Sequence, residues 1–135
     1  MLIDDNALHA SLMLEAFQAL RLDHDLHVVH DSDEALRLLT SAEAERLPAL
    51  ILVDLHMPKR DGFEVLSMIR SSPKLRAITV IMMTSSDDAD HVLRAYECGA
   101  NAFLRKPRTD FVDLVGDLDR FWFRRAELPG VSPRT

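Results

Sequence analysis

Apolar residues fall into short runs divided by longer stretches of helical period. The runs occupy residues 1–3 (MLI), 26–29 (LHVV), 50–53 (LILV), 78–83 (ITVIMM) and 102–104 (AFL). Predominantly apolar runs of this length suit strands buried on both faces, and their alternation with helices predicts βα units around a parallel sheet. Ala89, Val92, Leu93 and Tyr96 follow the i, i+3, i+4, i+7 spacing of a helix. Phe111, Leu114, Val115, Leu118, Phe121 and Trp122 carry the same spacing through three turns, with Phe123 off that buried stripe. Leu8, Leu12 and Ala16, with Met13, Phe17 and Leu20 beside them, predict a first helix. Asp31 stands three residues before Glu34 as in a capping box for a second, and Asp61 and Gly62 open a third near Phe63. The predicted fold is α/β, a doubly wound sheet of five parallel strands, and the units share no sequence repeat that would indicate a solenoid. Residues 127–135, ELPGVSPRT, carry two prolines and a glycine and read as a loose tail behind one domain spanning 1–126.

Composition fits that picture. With 135 residues, 47% hydrophobic and 28% charged, the chain has ordinary globular usage and enough length for one well-filled core. A formal net charge of -6 argues against nucleic acid as a partner, because backbone phosphates are held by clustered Lys and Arg. Cys98 is the single cysteine, which leaves no internal disulfide and no paired zinc spacing. The first residues, MLIDDN, carry acids where a signal peptide has positive charge, and no apolar stretch nears the roughly 18 residues of a membrane span. A cytoplasmic location, away from membranes, is the expectation.

The polar residues that interrupt the apolar runs carry the chemistry. Asp4 and Asp5 follow the first run, Asp54 ends the third, Thr84 follows the fourth and Lys106 comes just after the fifth. Ligands of open parallel sheets bind at the carboxyl ends of the strands, so these scattered positions converge on one rim. Carboxylates about 4 Å apart repel by about 1–4 kcal/mol a pair, depending on the dielectric, and ask for a cation. Mg²⁺, with Mn²⁺ as an alternative, takes such oxygen ligands and leaves positions for phosphate oxygens. Lys106 adds a compact positive charge and Thr84 a hydroxyl donor. Asp54, held at the end of a buried strand, is then placed as the nucleophile that forms an aspartyl phosphate. Any one of these residues alone reads more simply as a helix cap or a solvated charge. Complementary features at the ends of four strands make coincidence the poorer account.

With DD at Asp4 and Asp5, LVDLHMPKRDG around Asp54, MMTSS around Thr84 and FLRKP around Lys106, the sequence resembles the receiver domain of two-component response regulators, the CheY-like family. The resemblance runs to about Phe123. It implies a flavodoxin-like (βα)5 fold of strand order 2-1-3-4-5 and a phosphoryl group donated by a sensor histidine kinase. By the same resemblance Asp54 is the phosphoacceptor, Asp5 a direct Mg²⁺ ligand, Asp4 a ligand through water and His56 a ligand through its backbone carbonyl. Thr84 and Lys106 hold phosphoryl oxygens, Thr84 is coupled in a switch to an aromatic that here is Phe103, and His56 and Ser86 match positions that tune phosphoryl lifetime. Phe103 has no hydroxyl, so packing alone would drive its rotation. The Lys106–Pro107 bond is cis in the family, and Gly62 would permit a backbone shape that a Cβ hinders. Only residues 1–3 precede the acidic pair, a shorter first strand than the family usually has.

Other features carry less. His24, His27 and His30 look like a metal ladder, but spacing by three alternates faces in a strand, so no metal site is expected there. The run DLDRFWFRR, residues 117–125, offers aromatics and Arg of the kind found in interface cores, which points to a homodimer through the C-terminal helix region. This ending is similar to that of stand-alone regulators partnered with phytochrome-type photoreceptor kinases. Two rival readings exist. A haloacid-dehalogenase-type phosphatase would want a second acid two residues after Asp54, where His56 stands. A phosphorylation-independent interaction module often lacks part of the acid, Thr and Lys set, which this chain keeps. The expectation is therefore a switch protein rather than a turnover enzyme, one that promotes only its own phosphorylation and dephosphorylation.

Overall fold

The computed structural model describes residues 1–129 of the 135-residue chain. Five parallel strands, β1 (Leu2–Ile3), β2 (Val28–Val29), β3 (Leu50–Asp54), β4 (Thr79–Thr84) and β5 (Ala102–Arg105), form one sheet of order β2-β1-β3-β4-β5. They alternate with helices α1 (Ala7–Ala19), α2 (Ser32–Ser41), α3 (Gly62–Ser71), α4 (Ala89–Glu97) and α5 (Val112–Leu118).

Alternation along the strands builds two cores. Ile3, Ile51, Val53, Val80 and Met82 meet α2, α3 and Ala95 of α4 on one face. Leu2, Leu50, Leu52, Ile81 and Met83 meet α1 and α5 on the other. Successive side chains of a strand point to opposite faces, so a strand buried on both is apolar along its interior. The anticipated caps form. Asp31 accepts from Glu34 N at 3.0 Å and Asp61 from Glu64 N at 2.9 Å, and each satisfies a backbone donor that a helix start leaves free. No helix of the described residues is long and apolar enough to cross a membrane.

Several expectations need correction. The second apolar run forms a strand only at Val28 and Val29, because β2 lies at the sheet edge and its sole partner β1 begins its pairing at Leu2↔Val28. The periodic residues of α4 identify the helix but do not form its buried face. Leu93 is 61% and Tyr96 50% exposed, while Ala95 is buried. After α5 the backbone widens into a π-helical segment, Asp119–Arg125. With i→i+5 spacing, Phe123 follows Leu118 onto the core side. Its ring packs 6.2 Å from Phe17 and 4.4 Å from His24. Phe121, expected on the buried stripe, is 56% exposed. The same spacing pairs Arg124 with Asp119 at 2.8 Å. Among the described residues no peptide bond is cis, Lys106–Pro107 included; trans is the lower-energy form of an X–Pro bond by about 0.5–1 kcal/mol. Of the tail anticipated over 127–135, residues 130–135 lie outside the described residues, and Leu128 packs against the α1/α5 core.

Candidate functional site

Ladder hydrogen bonds carry each strand to a common rim. Asp4 N donates to Val29 O at 3.0 Å, Leu55 N to Met83 O at 2.8 Å and Lys106 N to Thr84 O at 2.8 Å. The backbone positions of Asp4, Asp54, Thr84 and Lys106 are thus set by sheet geometry rather than by loops, which favours precise placement. The β3–α3 turn is equally tight. Gly62 N donates to Leu55 O at 2.8 Å, and a Cβ at Gly62 would lie 2.7 Å from Asp54 O and 2.9 Å from Leu55 Cα. Close backbone approach, not an unusual backbone angle, therefore requires glycine here.

The rim gathers its charges tightly. One carboxylate oxygen from each of Asp4, Asp5 and Asp54 lies within 4.8 Å of the others. Lys106 Nζ reaches Asp4 Oδ2 at 2.6 Å and Asp54 Oδ1 at 3.2 Å, and all three of these residues are buried. Asp5 is exposed, whereas Asp4 also accepts from Asn6 N at 2.9 Å. Three ionised acids against one ammonium leave a net charge of about -2, and a hard dication with oxygen ligands is what that donor set suits. Asp4, Asp5 and Asp54 are the side chains that could hold it.

Burial pushes the Asp54 carboxyl up from 3.8 to about 6, opposed by the Lys106 charge and reinforced by Asp4 and Asp5. The folded chain therefore holds this proton more tightly than the unfolded chain does. Its contribution to stability is full below about pH 4 and is lost as pH rises through about 6. Metal-free protein should lose on the order of 2 kcal/mol to this group between pH 4.5 and 7.5, allowing for water at the open rim. Asp54→Asn, which cannot ionise, should flatten that part of the profile. Urea unfolding of both proteins across this range in chelator checks it, and parallel pH curves would contradict it. Because bound metal needs the ionised acids, divalent-metal affinity should also weaken below about pH 6.

Other sequence candidates sit differently. Thr84 is buried at the rim, but its Oγ1 accepts from Ser86 N at 3.0 Å and bonds neither Asp54 nor Lys106. Ser86 and His56 flank the rim, and the His56 ring is exposed and lies 5.5 Å from His91 of α4. Phe103 packs half-buried against the α2/α3 core, and its N–H donates to the Tyr96 hydroxyl at 3.2 Å. The three histidines do not gather: the His24 ring packs tilted against Phe123, His27 is exposed and His30 Nδ1 lies 3.1 Å from Asp4 O. Sequence reasoning missed His9. Its Nδ1 lies 3.1 Å from Lys106 Nζ, and the available signal was its place one helical turn after Asp5, facing the same rim.

Comparison with known proteins agrees with this geometry. Residues 1–116 match the response regulator receiver domain. Response regulator Rcp1 of Synechocystis sp. is 34% identical over 134 residues, covering 96% of this chain and 91% of that protein. The crystal structure of the Mn²⁺-bound form of Rcp1 superposes with a TM-score of 0.83 at 34% identity, covering 95% of this chain and 96% of that one. The phosphorylated cyanobacterial phytochrome response regulator RcpA gives a TM-score of 0.85 at 32% identity, with 95% of each chain covered. The likeness takes in every strand end that contributes to the rim, and it places the chain in the response regulator receiver domain family.

Proposed function

We propose that Asp54 accepts a phosphoryl group from a sensor histidine kinase, with Mg²⁺ or Mn²⁺ held by Asp4, Asp5, Asp54 and the His56 carbonyl, and that the product changes the chain's protein contacts. The observation that carries this reading is Lys106 Nζ lying 2.6 Å from Asp4 and 3.2 Å from Asp54, beside a third carboxylate on the same rim. An ionised Asp54 oxygen attacks phosphorus, the P–N bond to the donor imidazole breaks, and its electron pair stays on the leaving nitrogen. A cation held by those carboxylates would supply screening of the charge between nucleophile and phosphoryl group. Lys106 and Thr84 then hold phosphoryl oxygens, with Thr84 leaving Ser86 N to do so, and Phe103 follows Thr84. His56 and Ser86 control access of the hydrolytic water. The domain spans residues 1–126, with Leu128 of the following segment packed back against its core, and no turnover of an external substrate is assigned to it.

Rcp1, bound to Mn²⁺ in its crystal structure, supports the choice of metal. RcpA, a phytochrome response regulator, supports a phytochrome as the kinase. Exposure of Phe121 on the π-helical segment supports a homodimer through this region, and Phe121→Glu should then lower the mass found by analytical ultracentrifugation; an unchanged mass would rule this surface out. Incubation with acetyl phosphate and Mg²⁺ tests the central reading. One base-labile phosphoryl group should appear on Asp54 by peptide mass mapping, and no incorporation, or incorporation elsewhere, would refute it.

A further inference from the structure

We infer that His9 is a positioning residue for Lys106, the acceptor that keeps its ammonium aimed at Asp54. The inference rests on Asp54 being the phosphoacceptor.

An ammonium carries three N–H donors and no acceptor. Buried Lys106 has three partners: Asp4 Oδ2 at 2.6 Å, His9 Nδ1 at 3.1 Å and Asp54 Oδ1 at 3.2 Å. Since Lys106 can only donate, Nδ1 is the unprotonated nitrogen of His9 and the proton sits on Nε2. Burial, then the Lys106 charge, holds the imidazole below its ordinary pKa despite Asp4, which favours that neutral form. The ring has little freedom. Its backbone N–H is bound by Asn6 Oδ1 at 3.0 Å, and the ring packs 5.8 Å from buried Phe111 at the start of α5.

The chemistry separates His9 from the other two partners. Asp4 and Asp54 are carboxylates that a cation recruits, and the Asp54 carboxylate gives up its charged oxygen when it becomes an acyl phosphate. A neutral imidazole competes weakly for a hard cation and is untouched by the transfer. His9 is therefore the partner that Lys106 keeps throughout, leaving its remaining N–H groups to turn from carboxylate to phosphoryl oxygen without a search for orientation.

Four proteins test this: wild type, His9→Ala, His9→Asn, whose amide oxygen can stand where Nδ1 stands, and His9→Gln, whose amide reaches beyond it. At saturating acetyl phosphate and Mg²⁺, His9→Ala and His9→Gln should be phosphorylated about tenfold more slowly, with His9→Asn within about twofold of wild type. In metal-free protein labelled with ¹⁵N-lysine, a slowly exchanging Lys106 ammonium signal should persist in wild type and His9→Asn and broaden in the other two. Rates for Ala and Gln within twofold of wild type, or Asn as slow as both, would overturn the inference. So would an ammonium signal indifferent to residue 9. A wild-type chain that takes no phosphoryl group on Asp54 would instead bring down the underlying reading, while the metal-free spectra judge the His9–Lys106 contact by themselves.

Discussion

Lys106→Met should slow phosphorylation of Asp54 by about a hundredfold or more and destabilise the metal-free protein by about 3–5 kcal/mol at pH 8. The rate effect follows from removing a fixed positive donor from the point where phosphoryl charge accumulates, a loss of the size found when an oxyanion donor is deleted. The stability effect follows from stranding two buried carboxylates. Lys106 lies 2.6 Å from Asp4 and 3.2 Å from Asp54, and removing one partner of a buried ion pair leaves the other's desolvation uncompensated. Two rescues should set this loss apart from a simple packing defect. Lowering the pH to 5 protonates Asp54, whose carboxyl titrates near 6, and adding Mg²⁺ supplies the missing charge. Thermal melts at pH 8 and pH 5, with chelator or with Mg²⁺, read all of this. A variant as stable as wild type at pH 8 in chelator would show that Lys106 does not neutralise the rim.

Gly62→Ala is the second large effect, about 3 kcal/mol of lost stability with a parallel loss of phosphorylation. A methyl group there would sit 2.7 Å from Asp54 O and 2.9 Å from Leu55 Cα. Both atoms belong to the backbone at the end of β3, so no side chain can swing away and the strand end itself must move. Overpacking of this kind reaches the upper end of its usual 1–3 kcal/mol cost when the obstacle is main chain. The displaced group is the proposed phosphoacceptor, so activity should fall even in conditions where the variant is fully folded. Urea denaturation and acetyl phosphate labelling measure the two losses. A cost below about 1 kcal/mol would mean the turn can open without strain.

Much of this site is legible in the sequence because each strand-end residue of the rim falls within two positions of the end of an apolar run. Asp4, Asp54, Thr84 and Lys106 are marked by the end of a strand, and parallel topology brings strand ends together however far apart they lie in the chain. His9 carries no such mark. Its partner lies 97 residues away, and the contact depends on where the first turn of α1 lies beside the end of β5. The faces of the helices were legible to differing degrees. In α3, Phe63, Val65, Leu66 and Ile69 are buried and only Met68 of its large apolar side chains is exposed. In α4, Ala95 is buried against the sheet while larger Leu93 and Tyr96 face outward, so size and hydrophobicity pointed the wrong way. The π-helical segment escaped entirely, because periodicity counted at 3.6 residues per turn assigns Phe121 and Phe123 to each other's sides.

That widened turn matters to anyone who would graft this domain onto another protein. The family match ends at residue 116, and a fusion joint placed there would discard Leu118, Trp122 and Phe123, which cover the α1 side of the sheet. Phe17 would be stripped of its ring neighbour, and the chimera would carry a greasy scar prone to self-association. A splice beyond Leu128 keeps the lid in place.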